Sequence, residues 1–217
     1  GRSVYHIMDY GAIGDGQKDD APAIQKAIDV CARAGGGRVL IPAGRIFLSS
    51  PLELKSGVDL RIEASATLKA VSDPDAYGEP RAFLFAKDAD GMTLSGGGSI
   101  DGDGLAWMSH LEDDIFRPKP GRPGMIYFEA CDEFTMRDLT IRNAPYWTLH
   151  LTGCDGVLIE SVRILNDLRV PNCDGIDPNH CRNVRIANCH IEAGDDCIVP
   201  KNTKDMAKYG PTENITV

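Results

Sequence analysis

Asp174 stands 21 residues before Asp195, and Asp195 is followed directly by Asp196. About that many residues make one circuit of a parallel β-solenoid, so carboxylates distant in sequence would sit on neighbouring rungs. Two or three carboxylates held together are the working parts of glycosidic bond hydrolysis, one donating a proton and another activating water. Without Asp174 one turn earlier, the Asp195–Asp196 pair would read as a solvated bend. Consecutive strand residues point to opposite faces, so both can serve one cleft only where the backbone leaves strand geometry, and Gly194 is a neighbour that permits a bend.

The elements that would position these groups show as repeats. Ala89-Asp90-Gly91-Met92-Thr93-Leu94, Cys131-Asp132-Glu133-Phe134-Thr135-Met136, Cys154-Asp155-Gly156-Val157-Leu158-Ile159, Cys181-Arg182-Asn183-Val184-Arg185-Ile186 and Thr212-Glu213-Asn214-Ile215-Thr216-Val217 share one pattern. Each opens on a small residue and a polar pair, then alternates with the two-residue period of a strand. A second short strand follows three of them, at Leu139 and Ile141, Val162 and Ile164, and Cys189 and Ile191, with Asn143 and Asn166 at equivalent turn positions. Stacked rungs bury a continuous apolar interior, and Cys131, Cys154 and Cys181 are predicted to ladder there as small buried thiols.

Earlier in the chain, Ile24, Ala27, Ile28 and Cys31 fall on one face of a helix over 21–34. Asp19 or Asp20 is its N-cap, Pro22 lies in its first turn and Gly35–Gly37 end it. Such a helix would cover the exposed end of the stack. Short strands are predicted at Arg38–Ile41, Ile46–Leu48, Val58–Ile62 and Thr67–Leu68. Residues 101–124 lack strand periodicity and read as a long excursion beside the cleft.

Composition bounds the rest. With 217 residues, 42% hydrophobic and 25% charged, the chain is expected to form one domain, 1–217. A net charge of −9 offers no basic stripe for nucleic acid, and no apolar run approaches a membrane span. The seven cysteines form an odd set. Cys173, Cys181, Cys189 and Cys197 recur every eight residues, a spacing that strand packing accounts for better than metal binding.

At this point the residues support a resemblance. Asp9-Tyr10-Gly11-Ala12, then Gly14-Asp15-Gly16 and Asp19-Asp20, resemble the N-terminal signature of right-handed β-helix pectin-degrading enzymes. Asn172-Cys173-Asp174-Gly175-Ile176-Asp177 followed by Gly194-Asp195-Asp196-Cys197 resembles the catalytic signature of family 28 glycoside hydrolases, the polygalacturonases and their relatives. Ile100-Asp101-Gly102 and Pro145-Tyr146-Trp147 extend the likeness over essentially the whole chain. It implies an all-β, right-handed parallel β-helix capped by the N-terminal helix, a pectic polysaccharide as partner, and secretion or periplasmic location.

The resemblance further implies Asp195 as general acid, with Asp174 and Asp196 activating water in an inverting reaction that requires no metal or other cofactor. Clustered carboxylates cannot all ionise cheaply, so one keeps a proton to donate. Rungs about 4.8 Å apart bring carboxylates closer than the roughly 6.5–9.5 Å of inverting enzymes, so the stereochemistry rests on the resemblance alone. Asp177, His180 and Lys201 are the substrate-binding candidates. Asp177 could instead support the Asp174 turn, His180 could be a merely exposed loop residue, and Lys201 could be a solvated lysine rather than a partner for a uronate. Trp147 could offer a sugar-stacking face, but within the apolar pattern of Leu149 and Leu151 core packing is the expectation, and His150 shares both readings.

Two departures stand out. Cys173 occupies a position where the family has threonine, and the family's Gly-His-Gly and Arg-Ile-Lys motifs lie beyond the equivalent of Val217. The chain is therefore expected to be the N-terminal portion of the fold, inactive or weak as an isolated monomer, with self-association through an open C-terminal edge. Two other functions compete with hydrolysis: a noncatalytic carbohydrate-binding scaffold, and a pectate-lyase-like elimination needing Ca²⁺ and a basic residue.

Overall fold

A strand with one apolar face cannot bury it alone, and here the strands of the coil do so by stacking on their equivalents in the next turn. The computed structural model describes residues 2–217. Strands run along three parallel sheets that form the walls of a right-handed parallel β-helix. The first sheet, in order, holds Val4–His6, Gly37–Ile41, Val58–Ile62, Thr93–Gly96, Thr135–Arg137, Asp155–Glu160, Arg182–Ala187 and Glu213–Thr216. The second holds Asp15–Asp19, Ile46–Ser49, Thr67–Ala70, Ser99–Asp101, Thr140–Arg142, Arg163–Leu165 and His190–Glu192. The third consists of Leu52–Glu53, Ala82–Lys87, Gly124–Glu129, Leu149–Thr152 and Ile176–Asn179.

Register turns this topology into a core. Leu60, Leu94, Met136, Ile159 and Ile186 are partners in succession on the first sheet. Leu68, Ile100, Ile141, Ile164 and Ile191 do the same on the second. Leu84, Ile126, Leu149, Ile176 and Ile198 form the ladder of the third. Each fully buried aliphatic side chain contributes roughly 1.5–3 kcal/mol, so the repeated apolar position is the main force holding one turn on the next. Cys131, Cys154 and Cys181 are free and fully buried, at the equivalent positions expected of them.

The helix spans Ala21–Arg33 and buries Ile24, Ala27, Ile28 and Cys31 against the first turns of the coil. Asp20 begins it without a side-chain cap bond, because its carboxylate accepts the amides of Ile13 and Gly14 at 3.0 and 2.8 Å. The adjacent Asp19 instead accepts the Ala21 amide at 2.9 Å. Gly14 sits at φ +68°, and a Cβ there would lie 2.7 Å from the Phe47 ring. The N-terminal signature is thus a tied loop seated on the helix start.

Two expectations need correcting. Residues 101–124 are not simply an irregular excursion: Met108–Glu112 and Ile115–Pro118 pair as an antiparallel hairpin. Its turn, Asp113 and Asp114, has both residues at positive φ, the geometry that matches strand twist. The equivalence of Asn143 and Asn166 is also incomplete. Asn143 is left-handed at φ +57°, whereas the buried Asn166 accepts the Ala144 amide and donates to Thr148 Oγ1. Among the described residues, no helix is long and apolar enough to cross a membrane.

Candidate active site

The third sheet carries the acid cluster, and its backbone explains how. Asn172 turns the chain at φ +55°, and Cys173 donates its thiol to the Ala144 carbonyl at 3.2 Å. Burial pushes the Cys173 thiol up to about 12, so it serves as a neutral donor in this turn. Asp174 follows, 3% exposed, with its carbonyl accepting the Thr148 amide of the preceding turn. On the other side, the Gly175 amide donates to the Asp196 carbonyl and the Ile176 amide to Cys197, each at 2.9 Å. Asp196 therefore lies against the Asp174–Gly175 backbone on the neighbouring rung.

Asp195 and Asp196 are exposed and lie in a bend between His190–Glu192 and the bridge at Ile198, outside regular strand geometry. The Asp195 carboxylate accepts the Asp196 amide at 2.9 Å. Glycine is required on both rungs by close approach. A Cβ on Gly175 would stand 2.4 Å from the Cys197 carbonyl oxygen, and one on Gly194 would stand 2.4 Å from that of Val170. The glycine before the acid pair thus permits packing beside a neighbouring backbone; it is not among the positive-φ glycines.

Asp177 joins Asp174. It is completely buried, and neither carboxyl oxygen has a hydrogen-bond partner. Lys201 Nζ lies 3.6 Å from its Oδ1 and 3.7 Å from Asp174 Oδ2, so one cation faces two buried carboxyl groups. Burial, and then the Asp174 carboxyl, push the Asp177 pKa up against the opposing pull of Lys201. Burial and the neighbouring carboxyl thus favour the protonated form of Asp177. Lys201 is therefore not a solvated lysine: its amine faces the cluster while part of the side chain remains exposed.

The remaining groups fall differently from the sequence expectation. His180 is 4% exposed rather than a solvated loop residue. Its Nδ1 faces the Gly210 carbonyl and its Nε2 the Thr203 carbonyl, so whichever nitrogen carries the proton ties the ring to the 203–210 segment. Trp147 and His150 are half-buried instead of in the core. Trp147 precedes the strand Leu149–Thr152, where the chain is still turning, and its ring meets cleft groups. Lys201 Nζ lies 4.4 Å from its centroid, Tyr146 lies parallel to it at 5.7 Å, and Arg122 sits 4.8 Å over Tyr146. Arg122 bonds the carbonyls of Pro145 and Pro171 and the Asn172 side chain, tying together the turns that lead to Trp147 and Asp174. Sequence reasoning did not find Arg122; nothing in its neighbourhood, Gly121-Arg122-Pro123, distinguishes it from a surface loop arginine.

His150 pairs in register with Asp177 and is edge-on to both Tyr127 and Trp147. Burial, and then the nearby Lys201 charge, lower its pKa to about 4, so the imidazole is neutral above that range. One further segment bounds the site. Lys204–Tyr209 folds back over the third sheet, and the Tyr209 hydroxyl donates to Glu129 Oε1 at 2.7 Å. Its ring lies directly on Gly153, where a Cβ would come within 2.5 Å.

The fold and site define a class of protein: a parallel β-helix that sets aspartates from adjacent turns beside one sheet, with aromatic rings next to them. The sequence comparisons narrow it: the family model for glycosyl hydrolases family 28 matches residues 31–210, and the chain belongs to that family. It is 33% identical over 196 residues to a probable polygalacturonase of Arabidopsis thaliana, covering 88% of this chain and 41% of the relative. The exopolygalacturonase structure from Thermotoga maritima superposes with a TM-score of 0.85 at 25% identity, over 98% of this chain and 58% of that one. The polygalacturonase from Erwinia carotovora ssp. carotovora gives 0.80 at 27% identity, over 99% and 61%. The chain spans about half the length of the curated relatives it matches, 41% and 47% for two of them.

Proposed function

We propose that this chain supplies the acid cluster of a hydrolase acting on glycosidic bonds of a pectic polysaccharide, galacturonan or rhamnogalacturonan. The observation that carries the reading is the backbone pairing of Gly175 with Asp196, which puts the Asp195–Asp196 bend beside Asp174. In this reading Asp195 protonates the glycosidic oxygen as the bond from the anomeric carbon breaks. A water loses its proton to Asp174 or Asp196 and its oxygen bonds that carbon from the opposite face, inverting it. Asp177 and Lys201 act from behind, fixing the charge and position of Asp174; His180 acts further back, holding the segment that lines the cleft. The substrate lies outside the cell, so the whole protein is secreted or periplasmic.

The test is release of new reducing ends from de-esterified homogalacturonan and from rhamnogalacturonan by the protein that contains this chain. Turnover on either supports the assignment, and absence of release from every pectic substrate sinks it. An unsaturated, ultraviolet-absorbing product would mean elimination instead, and binding without turnover would mean a scaffold.

A further inference from the structure

Beside the acid cluster, toward the N-terminal end of the coil, the third sheet carries a hollow of about 150 Å³ that the hydrolytic roles do not use. Its walls are Pro80, Ala82, Ile126 and the rings of Tyr127, Tyr146, Trp147 and His150, and Gly124 lies in the wall. His150 is the register partner of Asp177, so the hollow stands one rung from the acids. A sugar unit next to the bond being cleaved would present a substituent to it.

Three of the polar side chains around the hollow, those of Arg81, Tyr127 and His150, have partners within the protein. Arg81 is among the lining residues, and its guanidinium donates to the carbonyls of Gly121, Tyr77 and Pro74, none of which lines the hollow. Tyr127's hydroxyl is directed at Glu129, and His150 Nε2 meets Thr152 Oγ1 at 3.2 Å. The imidazole is uncharged above pH about 4. A carboxylate placed here would have to draw the Arg81 guanidinium away from those three carbonyls, whereas a methyl group would exchange water for ring faces. Gly124 keeps the space open: an added Cβ would meet nothing closer than the Trp147 carbonyl at 3.6 Å.

We infer that this hollow is a subsite for a methyl-terminated, uncharged substituent of the saccharide, either the methyl ester of a uronate or the C-methyl of a deoxy sugar. The inference rests on the proposed hydrolase reading for its substrate class, and it assigns Gly124, Tyr127 and His150 as specificity-determining residues. One methyl group in such a pocket is worth about tenfold in selectivity.

The experiment compares oligogalacturonides, their methyl esters and rhamnogalacturonan oligomers, by kcat/KM and by calorimetric binding, in the protein and in Gly124→Val. The expected result is that filling the hollow lowers the ratio of methyl-bearing to free-acid substrate by about tenfold, with the ester and deoxy-sugar arms showing which methyl source it takes. If valine prevents folding, Gly124→Ala carries the same test with a smaller drop. A protein that cleaves nothing refutes the hydrolase reading, while its binding ratio still decides the hollow. A binding preference for the free acid, or a ratio that neither substitution moves, overturns the inference.

Discussion

Asp177→Asn separates two opposed influences on one buried carboxyl group. Lys201, 3.6 Å away, favours the charged form; complete burial and the Asp174 carboxyl favour the neutral one. The balance raises the Asp177 pKa above its ordinary value of 3.8. The raised value means that the native state retains a proton that the unfolded chain releases above its ordinary value. The resulting stability is fully present below pH 3.8 and is lost as pH rises through the raised value. Each pH unit inside that window costs the wild type up to about 1.4 kcal/mol through this group. Asparagine matches the protonated acid in size and can still donate toward Asp174, yet it does not titrate. The stability of the variant relative to wild type should therefore rise with pH above 5, by up to about 1.4 kcal/mol per unit. For a chain of this length that is a relative gain of up to roughly 3–6 °C in melting temperature per pH unit. Thermal unfolding followed by circular dichroism at pH 5, 6, 7 and 8, at fixed ionic strength, measures it. Parallel pH profiles would refute the reasoning and show Asp177 ionised and paired with Lys201.

Asp195→Asn keeps size but removes a transferable proton, so in the hydrolytically competent protein turnover on homogalacturonan should fall by about 10² or more while binding persists, a larger loss than Asp177→Asn gives. Full turnover in a folded Asp195→Asn protein would mean that another group is the acid. Lys201→Met retains the alkyl stem over Trp147 and removes the charge facing Asp174 and Asp177. Urea unfolding at pH 7 should show a loss of about 3–5 kcal/mol, the cost of breaking a buried pair from one side, and an unchanged midpoint would show that the amine does not balance the cluster. Tyr209→Phe removes the 2.7 Å hydrogen bond to Glu129 and should cost about 1.5–3 kcal/mol by the same measurement.

The first two sheets are legible in the sequence because their rungs repeat a small residue, a polar pair and alternating apolar positions with little variation. The third sheet, which bears the site, is harder to read. Ala82–Lys87 and Gly124–Glu129 are almost continuously apolar, so no period distinguishes their two faces. Trp147 was assigned inward on the strength of Leu149 and Leu151, but alternation starts only where the strand starts, two residues later. The motif around Asp174 and Asp195 names its carboxylates plainly. It does not reveal that Lys201 is turned onto them, because that depends on a bridge between Asn179 and Lys201 formed after the chain has left regular structure. The hairpin over 108–118 went unseen because its turn uses two aspartates at positive φ where Asn-Gly or Asp-Gly would have signalled it.

In a solenoid each turn touches only its neighbours, so loosening can spread one turn at a time. The Lys204–Tyr209 segment breaks that one-dimensional rule. From beyond the strand Ile176–Asn179 it reaches back across the turn containing Gly153 to Glu129, a contact between residues 80 apart in sequence. Lys208 adds its charge at 3.8 Å from the same carboxylate, and His180 anchors the segment's base. The three turns beneath are thereby bound into one cooperative block. Amide hydrogens at Ala130, Gly153 and His180, which belong to three successive turns, should exchange through a shared opening, so the sheet that holds the acids opens as a unit rather than fraying through it.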